Sequence, residues 1–289
     1  MKLGSLTFED VIEISVNMKK VQKVDEKKYN EELKIAQDLA SKQTIYGVNT
    51  LLGELANEGK SSIVDPEEIL KMHAVGAGKQ CKPEWVRAAM LIRANQLAQG
   101  HSAVRGSLIN HILNMINRDI TPAVPELGSV GASGDLIPLA HIGLAIAGEG
   151  KVVEGGKVLE SKEVFKQNGI EPYRVNLREA LALINATSFS AGVFAVELYR
   201  SLNVIISSLI SSILILEASK GSLIPNSEAV NSVKLHNGPR LISKIIENSL
   251  SDSRRLGSAK RVQDPYSIRC SSQLLGAALD SIAWAKRNL

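Results

Sequence analysis

The sequence predicts a mainly α-helical protein, on three observations. Apolar residues recur at approximately helical spacing along residues 85–97 and 108–116. Thr7 and Asp65 are suited to begin helices, because acidic residues follow each of them and a proline comes directly after Asp65. Stretches of alternating polarity are scarce, and residues 151–159 are a candidate for a short hairpin. The pattern indicates an α-helical architecture with functional loops.

Residues 201–216 are sixteen uncharged residues rich in Ile and Leu. They include Asn203 and five serines, lie between Arg200 and Glu217, and fall short of the roughly 20 apolar residues of a membrane-spanning helix. A helix that is apolar on most faces is typical of the middle of a large bundle. We therefore expect a buried core helix and no membrane association.

The composition excludes several classes of protein. The net charge of +4 comes from scattered basic residues, which gives no footprint for nucleic acid. Cys81 and Cys270 are the only cysteines, so a disulfide framework is not indicated and a reducing compartment is the simpler interpretation. The N-terminus lacks a basic segment followed by an apolar run, so we expect a cytoplasmic protein. No metal ligands are predicted.

The stretch with the most unusual design is residues 128–141, which read GSVGASGDLIPLAH. Three glycines at a spacing of three give the backbone access to positive φ and to close approach. The simplest interpretation is a glycine-rich turn before a helix that begins at Pro138 and ends near Gly148 or Gly150. A phosphate-binding loop is not favoured, because no lysine follows the glycines and their spacing differs from the dinucleotide fingerprint.

This string resembles the signature of the histidine and aromatic amino acid ammonia-lyases. The resemblance implies that Ala132, Ser133 and Gly134 cyclise: the amide nitrogen of Gly134 attacks the carbonyl carbon of Ala132 and two waters leave. The product would be a 4-methylidene-imidazol-5-one, an electrophile made from the chain without any external cofactor. The residue types suit this chemistry, since Gly134 has no side chain to block the attack and Ser133 supplies the hydroxyl that is lost.

A second motif, residues 46–53 (YGVNTLLG), is similar to a family segment whose tyrosine removes the β-proton of the substrate. Tyr46 matches that tyrosine, although by itself a tyrosine in a glycine-containing loop is more often a turn residue. A phenol has a reference pKa of about 10, so a tyrosine base needs positive charge or donors near its oxygen. The sequence departs from the family at Leu51-Leu52, where a glycine and an aromatic residue are usual, and this alters a loop that moves over the substrate.

A third motif, residues 72–78 (MHAVGAG), resembles the segment that lines the pocket for the substrate side chain. A lone histidine is more often structural, but His73 matches the histidine-specific members of the family, whereas phenylalanine-specific members have leucine there. An imidazole can exchange a hydrogen bond with a substrate imidazole, which an apolar wall cannot do. Met72 replaces the polar residue that is commonest in histidine enzymes.

Two further motifs follow in family order. Residues 178–187 (REALALINAT) place Asn185 where the family has an asparagine near the prosthetic group and the substrate amine, with Ala186 in place of a glycine. Residues 263–270 (QDPYSIRC) match the segment whose arginine, here Arg269, holds the substrate carboxylate. In the same motif the family's glutamine and tyrosine, here Gln263 and Tyr266, lie at the electrophile. Alone, each motif would be assigned a structural role, but five in order across the chain indicate the family.

The resemblance also implies a fold and an assembly. It predicts a loop-bearing N-terminal domain, residues 1–190, followed from 191–289 by the start of a bundle of long helices of the ammonia-lyase (fumarase/aspartase-like) type. The family forms homotetramers whose active sites combine residues from several subunits. If a helix begins at Pro138, its N-terminus adds positive potential beside the Ala-Ser-Gly loop.

The implied activity is elimination of ammonia from an α-amino acid, with histidine converted to urocanate. The chain ends inside an expected long helix, whereas the family continues into a C-terminal half that carries an acidic-asparagine segment, an aromatic pocket residue and a glutamate. We expect that half to be either a separately encoded partner chain or lost. Three hypotheses stay open: an ammonia-lyase, a catalytically silent scaffold that serves in assembly or ligand binding, and an aromatic amino acid lyase or aminomutase with the same prosthetic group.

Overall fold

The computed structural model describes residues 3–50, 52–58 and 65–289. The described residues are mainly helical, which confirms the predicted fold class. The chain divides into two compact units, Met1–Val196 and Glu197–Leu289. The domain division at 190/191 stays a prediction.

The first unit contains eight helices among its described residues and the beginning of a ninth. They are α1 (Phe8–Ser15), α2 (Asn30–Lys42), α3 (Pro66–His73), α4 (Pro83–Leu97), α5 (Gly106–Asn117), α6 (Leu136–Ala147), α7 (Ser161–Asn168), α8 (Leu177–Ile184) and α9 (Ser188–Ala218), together with short 3-10 turns at Glu26–Tyr29 and Gly53–Glu58.

Local signals account for where these helices begin. The Thr7 hydroxyl accepts from the Asp10 backbone N–H while the Asp10 carboxylate accepts from the Thr7 N–H, which is a capping box before α1. Asp65 caps α3 with Pro66 in the first turn, as predicted. Helix α6 begins at Leu136, so the prediction that it begins at Pro138 is wrong by two residues. Proline is tolerated throughout a first turn, where its missing N–H would have no helical partner.

Two small antiparallel sheets complete the described part of the first unit. Strand β1 (Ala77–Gln80) and strand β3 (Pro125–Leu127) form one pair, and β2 (Thr121–Pro122), β4 (Lys151–Glu154) and β5 (Lys157–Glu160) form the other sheet in the order β2-β4-β5. The hairpin predicted at residues 151–159 is confirmed as β4–β5, with Val152 opposite Leu159. Gly155 and Gly156 both have positive φ, as the tight hairpin turn requires.

The core of the first unit is aliphatic and centres on α4 and α5. Met90, Leu91 and Leu97 of α4 are almost completely buried. The first turns of α9 pack closely on α4, since a Cβ at Gly192 would lie only 2.6 Å from the Ala89 backbone nitrogen. This close packing positions the start of α9 beside the loops described below.

The second unit contains the rest of α9 and, among its described residues, α10 (Glu228–Asn231), α11 (Asn237–Ser249), α12 (Tyr266–Arg269) and α13 (Ser271–Arg287). Helices α11 and α13 cross at Gly238 and Gly276, where a Cβ on Gly276 would lie 2.1 Å from the Pro239 nitrogen. A smaller apolar cluster, including Ile242, Ile246 and Leu275, fills the unit.

The prediction that residues 201–216 form a buried core helix is wrong for the single chain. They lie within α9 as a helix, but Val204, Ile210 and Leu214 are 65%, 54% and 63% exposed. Within the described residues, one helical stretch ending at Ala218 is long and apolar enough to cross a membrane by length and composition alone. The hydropathy of residues 201–216 predicts that they prefer an apolar environment. It does not predict which other residues bury them.

Candidate active site

The Ala-Ser-Gly segment occupies an exposed loop between β3 and α6. Gly131, Ser133 and Gly134 have φ values of 73°, 61° and 86°. Ser133 is therefore an L-residue in the left-handed region, where strain of about 1–3 kcal/mol is maintained only if the surroundings hold the backbone. Ala132 and Ser133 are exposed, so the loop presents its strained centre to solvent.

Asp135 anchors the C-terminal end of this loop. Its carboxylate is 2% exposed and accepts hydrogen bonds from the Ser190 hydroxyl at 2.6 Å, the Ser190 backbone N–H at 2.8 Å and the Ser129 hydroxyl at 3.2 Å. Its own backbone N–H donates to the Ala186 carbonyl at 2.7 Å. The loop is thus held by the first turn of α9 and by the segment that follows α8.

Asn185 contacts the loop directly. Its Nδ2 donates to the Ser133 carbonyl oxygen at 2.8 Å. A Cβ on Gly134 would lie 2.4 Å from the Ala186 carbonyl oxygen, so only glycine fits at this position. The loop contacts the backbone of Ala186, which stands where the family has glycine. The alanine methyl group does not prevent the hydrogen bond from Asn185 to Ser133.

The Tyr46 loop rests on α8. A Cβ on Gly47, whose φ is +66°, would lie 2.1 Å from the Leu181 side chain, so glycine permits this close approach. Asn49 organises the loop by accepting from the Ile45 N–H at 2.7 Å and donating to the Ala40 carbonyl at 2.8 Å.

The Tyr46 side chain is 53% exposed, and its hydroxyl accepts a hydrogen bond from the Gly53 backbone N–H at 2.8 Å. A tyrosine base needs such a donor near its phenolate oxygen. Leu51, one of the two residues that depart from the family pattern in this loop, lies outside the described residues.

His73 is the last residue of α3, and its Nδ1 lies 2.7 Å from the Ile69 carbonyl oxygen. A carbonyl can only accept, so Nδ1 carries a proton. In the neutral ring Nε2 is therefore left as an acceptor, and it is available to a ligand.

The segment after His73 runs beside the Ala-Ser-Gly loop, because β1 pairs with β3. The Gly76 N–H donates to His141 Nε2 at 3.2 Å, and burial lowers the pKa of His141 below its ordinary value. The neutral form that accepts this bond is thereby favoured. His141 closes the glycine-rich string, and the sequence assigned it no role.

An open cleft of about 440 Å³ adjoins the loop. Its lining consists of Ser133, Gly134, Asn185, Ala186, Thr187, Arg93 and Gln96. Sequence reasoning missed Arg93 and Gln96 of α4; the available signal was an arginine among the apolar residues of a predicted helix.

Arg93 is 8% exposed. It donates through Nη2 to the Ala182 carbonyl and through Nη1 to the Gln96 side chain at 2.8 Å. Burial, together with the positive charge of Arg178, lowers the pKa of Arg93 to about 10.

The remaining three predicted residues lie together in the second unit. The Arg269 guanidinium stands 5.6 Å from the centre of the Tyr266 ring, and the Gln263 amide lies against the same guanidinium. Asp264, next to Gln263, is buried and accepts from the Ser222 N–H at 2.6 Å, which orders the segment before α12. Tyr266 is 76% exposed. Among the described residues no group of His, Cys, Asp and Glu side chains is arranged to hold a metal ion.

The helical fold and the glycine-rich Ala-Ser-Gly loop define a protein of the class that the motifs indicated. A family model described as "Aromatic amino acid lyase" matches residues 6–289, and the chain belongs to this family. The resemblance identified from the motifs is thereby confirmed.

Individual relatives agree with this assignment. A probable histidine ammonia-lyase from Thermoplasma volcanium is 40% identical over 288 residues, covering 97% of this chain and 58% of the relative. The ergothionase from Treponema denticola, solved with desmethyl-ergothioneine sulfonic acid, has a TM-score of 0.88 at 25% identity and covers 98% of this chain and 58% of its own. A tyrosine aminomutase from Streptomyces globisporus has a TM-score of 0.85 at 29% identity, with coverage of 98% and 58%. The chain thus spans less than two thirds of the length of these proteins.

Proposed function

We propose that the chain serves a carbon–nitrogen lyase that eliminates ammonia from an α-amino acid, with L-histidine as substrate and urocanate as product. The observation that carries the proposal is the Ala132-Ser133-Gly134 loop, held in left-handed conformations by Asn185 and Asp135. The 40% identity to a probable histidine ammonia-lyase supports the reaction class. His73, whose Nε2 is left as an acceptor, supports histidine as substrate, because a histidine imidazole can donate its N–H to it.

The residues of the loop fit the prosthetic group of the family. Gly134 admits no side chain, since a Cβ would strike the Ala186 carbonyl, and Ser133 is exposed with its carbonyl held by Asn185. Ala132, Ser133 and Gly134 would form the 4-methylidene-imidazol-5-one, with no external cofactor. This group supplies an electrophile that draws electron density from the bound substrate. The N-terminus of α6 begins directly after the loop and adds positive potential there.

The chain's own side chains take the remaining roles. Tyr46 would remove the β-proton, and the Gly53 N–H at 2.8 Å would stabilise the charge on its oxygen once the proton has left. Asn185 would orient the loop and the substrate amine. Arg269 would hold the substrate carboxylate through its planar guanidinium, with Gln263 and Tyr266 at the electrophile.

The assembly belongs to the same proposal. The exposed apolar residues of α9 at 204–215 support self-association, and we propose a homotetramer in which several copies contribute to each site. A separately encoded chain would supply the segments that lie beyond the matched part of the relatives. We propose a cytoplasmic location, with a small amino acid as the ligand and neither nucleic acid nor a membrane as partner.

Two alternatives have specific support. The departures at Leu51 and Ala186 favour a catalytically silent scaffold or assembly subunit. The structural similarity to a tyrosine aminomutase favours an aromatic substrate, or an aminomutase reaction that transfers the amine within the substrate. These alternatives give different products, so the same experiment separates them.

Intact mass spectrometry of the purified chain tests the proposal, alone and co-expressed with a candidate partner. We expect a mass lower by two water molecules, mapped to the peptide containing residues 132–134, in wild type and in Tyr46→Phe. We expect the unmodified mass in Ser133→Ala. Histidine should then yield urocanate by absorbance with wild type but not with Tyr46→Phe.

An unmodified wild-type mass under both conditions refutes the lyase and supports the scaffold. A modified chain that converts tyrosine or phenylalanine instead, to an acrylate or to a β-amino acid, supports the aromatic lyase or the aminomutase respectively. Under the proposal His73→Leu weakens turnover of histidine more than turnover of phenylalanine.

A further inference from the structure

Arg93 is a buried cation without an anionic partner among the described residues. Its guanidinium carries five N–H donors, of which Nη1 and Nη2 reach Gln96 and the Ala182 carbonyl, whereas the buried Nε has no hydrogen-bond partner in the described part of the chain. None of the ion pairs of the described residues includes Arg93. Besides burial, the positive charge of Arg178 lowers the pKa of Arg93.

Arg87, on the same helix, is also buried, but its positive charge is compensated by a carboxylate. Arg87 is 7% exposed and pairs with Asp119 at 2.6 Å, while its other donors reach the Ser15 carbonyl. An uncompensated buried charge is costly and its field is poorly screened, because little water surrounds it. Arg93 therefore places a positive charge at the wall of the open cleft that it lines together with Ser133 and Gly134.

Arg93 is also linked to the loop through α8. It donates to Ala182, whose carbonyl lies in the last turn of α8. Asn185 follows directly, with its N–H bonded to the Leu181 carbonyl, and its side chain donates to the Ser133 carbonyl at 2.8 Å. A single chain of contacts thus connects the guanidinium to the carbonyl at the centre of the loop.

We propose that Arg93 is a positioning residue for the formation of the prosthetic group. It holds the end of α8 so that Asn185 can donate its hydrogen bond to the Ser133 carbonyl. Its positive charge also stabilises the anionic stage of ring closure. This inference rests on the proposed function. It adds a residue that lies outside all five motifs.

The charge acts at a defined stage of the reaction. The Gly134 amide nitrogen loses its proton and bonds to the Ala132 carbonyl carbon, whose π electrons move to oxygen. That oxygen takes up the proton lost by Gly134 and the proton of the Ser133 amide nitrogen and leaves as one water, while a C=N bond forms between the Ala132 carbon and the Ser133 nitrogen. The Ser133 hydroxyl leaves as a second water with the Ser133 α-proton, and a double bond forms between Cα and Cβ. No oxidant or reductant is needed. The amide that has lost its proton shares its negative charge with the Ser133 carbonyl oxygen, which is the atom that Asn185 holds.

The decisive variant is Gln96→Glu, which keeps Arg93 and its packing in place. Gln96 Oε1 already lies 2.8 Å from Arg93 Nη1, so a carboxylate at this position neutralises the guanidinium with almost no change in shape. If Arg93 has only a structural role, this substitution should leave the stability of the fold unchanged or raise it, and the rate of ring closure should not change. We expect instead that the loss of two waters, followed by intact mass over time after cell-free synthesis of the full chain, slows by about tenfold or more.

Two substitutions of arginine and one control complete the test. Arg93→Lys keeps the charge and should slow ring closure less than Arg93→Gln, which keeps donors but removes the charge. Arg87→Gln removes an equally buried arginine from the same helix and should leave the rate unchanged. Circular dichroism and thermal unfolding establish that each variant is folded.

The outcomes separate the inference from the proposed function. Ring closure at the wild-type rate in Gln96→Glu overturns the inference and leaves the proposed function standing, and so does equal slowing in the lysine and glutamine variants of Arg93. A wild-type chain that never loses two waters refutes the proposed function itself, and the inference falls with it.

Discussion

Replacing Gly134 with alanine is expected to destabilise the first unit in two separable ways. The first is conformational: the φ of +86° places an L-residue in the left-handed region, at a cost of about 1–2 kcal/mol. The second is steric: the new Cβ would lie 2.4 Å from the Ala186 carbonyl oxygen, so the loop must move away by about 1 Å to reach an ordinary contact distance. That movement breaks the 2.7 Å hydrogen bond from Asp135 N–H to Ala186, worth about 0.5–1.5 kcal/mol, and weakens the contact from Asn185. The expected total is about 3 kcal/mol.

Gly131→Ala is the matched control in the same loop. Its φ is +73°, but nothing lies within 4 Å of the Cβ, so only the conformational cost of about 1–2 kcal/mol applies. Both variants are compared by urea unfolding in a Ser133→Ala background, which prevents covalent closure of the loop. Trp85 fluorescence, with Trp284 replaced by phenylalanine, reports on the first unit. Destabilisation of the two variants by amounts within about 0.5 kcal/mol of each other would refute the steric argument, since the φ values alone predict near equality.

Three further predictions concern the scaffold. Glu179 is completely buried and accepts from Arg105 at 3.0 Å, so Glu179→Gln should lower the free energy of unfolding by about 3 kcal/mol in urea, whereas Glu160→Gln, in an exposed pair, should cause no measurable change. Burial lowers the pKa of His111 to about 4, below its unfolded value of about 6.5; stability should therefore fall as pH drops from 6.5 to 4, by up to about 3 kcal/mol, and His111→Phe should flatten this slope in pH-dependent urea titrations. Gly276→Ala should destabilise the second unit by about 1–3 kcal/mol in urea unfolding followed by Trp284 fluorescence, because its Cβ meets the helix α11 backbone. A wild-type midpoint would contradict that crossing.

Much of the fold was predictable because its signals are local. The caps at Thr7 and Asp65 act within three residues, and Gly155-Gly156 sets the turn of the hairpin. The start of α6 was misplaced because proline is compatible with several positions of a first turn. The exposure of residues 201–216 could not be predicted, since hydropathy measures the preference of a side chain but not the neighbours that the chain supplies.

The candidate site was predictable in identity more than in mechanism. The motifs indicated Tyr46, His73 and Asn185, and the structure adds what each side chain contacts. Arg93 was missed because an arginine among apolar residues on a helix is compatible with a surface position. Its importance depends on Ala182, 89 residues away, and on the absence of a carboxylate partner among the described residues.

The sequence by itself determined the helical class, the caps, the glycines that permit positive φ and the family to which the chain belongs. These properties depend on residue type and on spacing over a few positions. Only the tertiary structure decided that Asn185 would hold Ser133, 52 residues earlier, and that the buried Arg93 Nε would find no hydrogen-bond partner in the described part of the chain. Such contacts depend on how α4, α8 and α9 pack against one another, and the free energy of packing is a property of the whole folded unit rather than of any local segment.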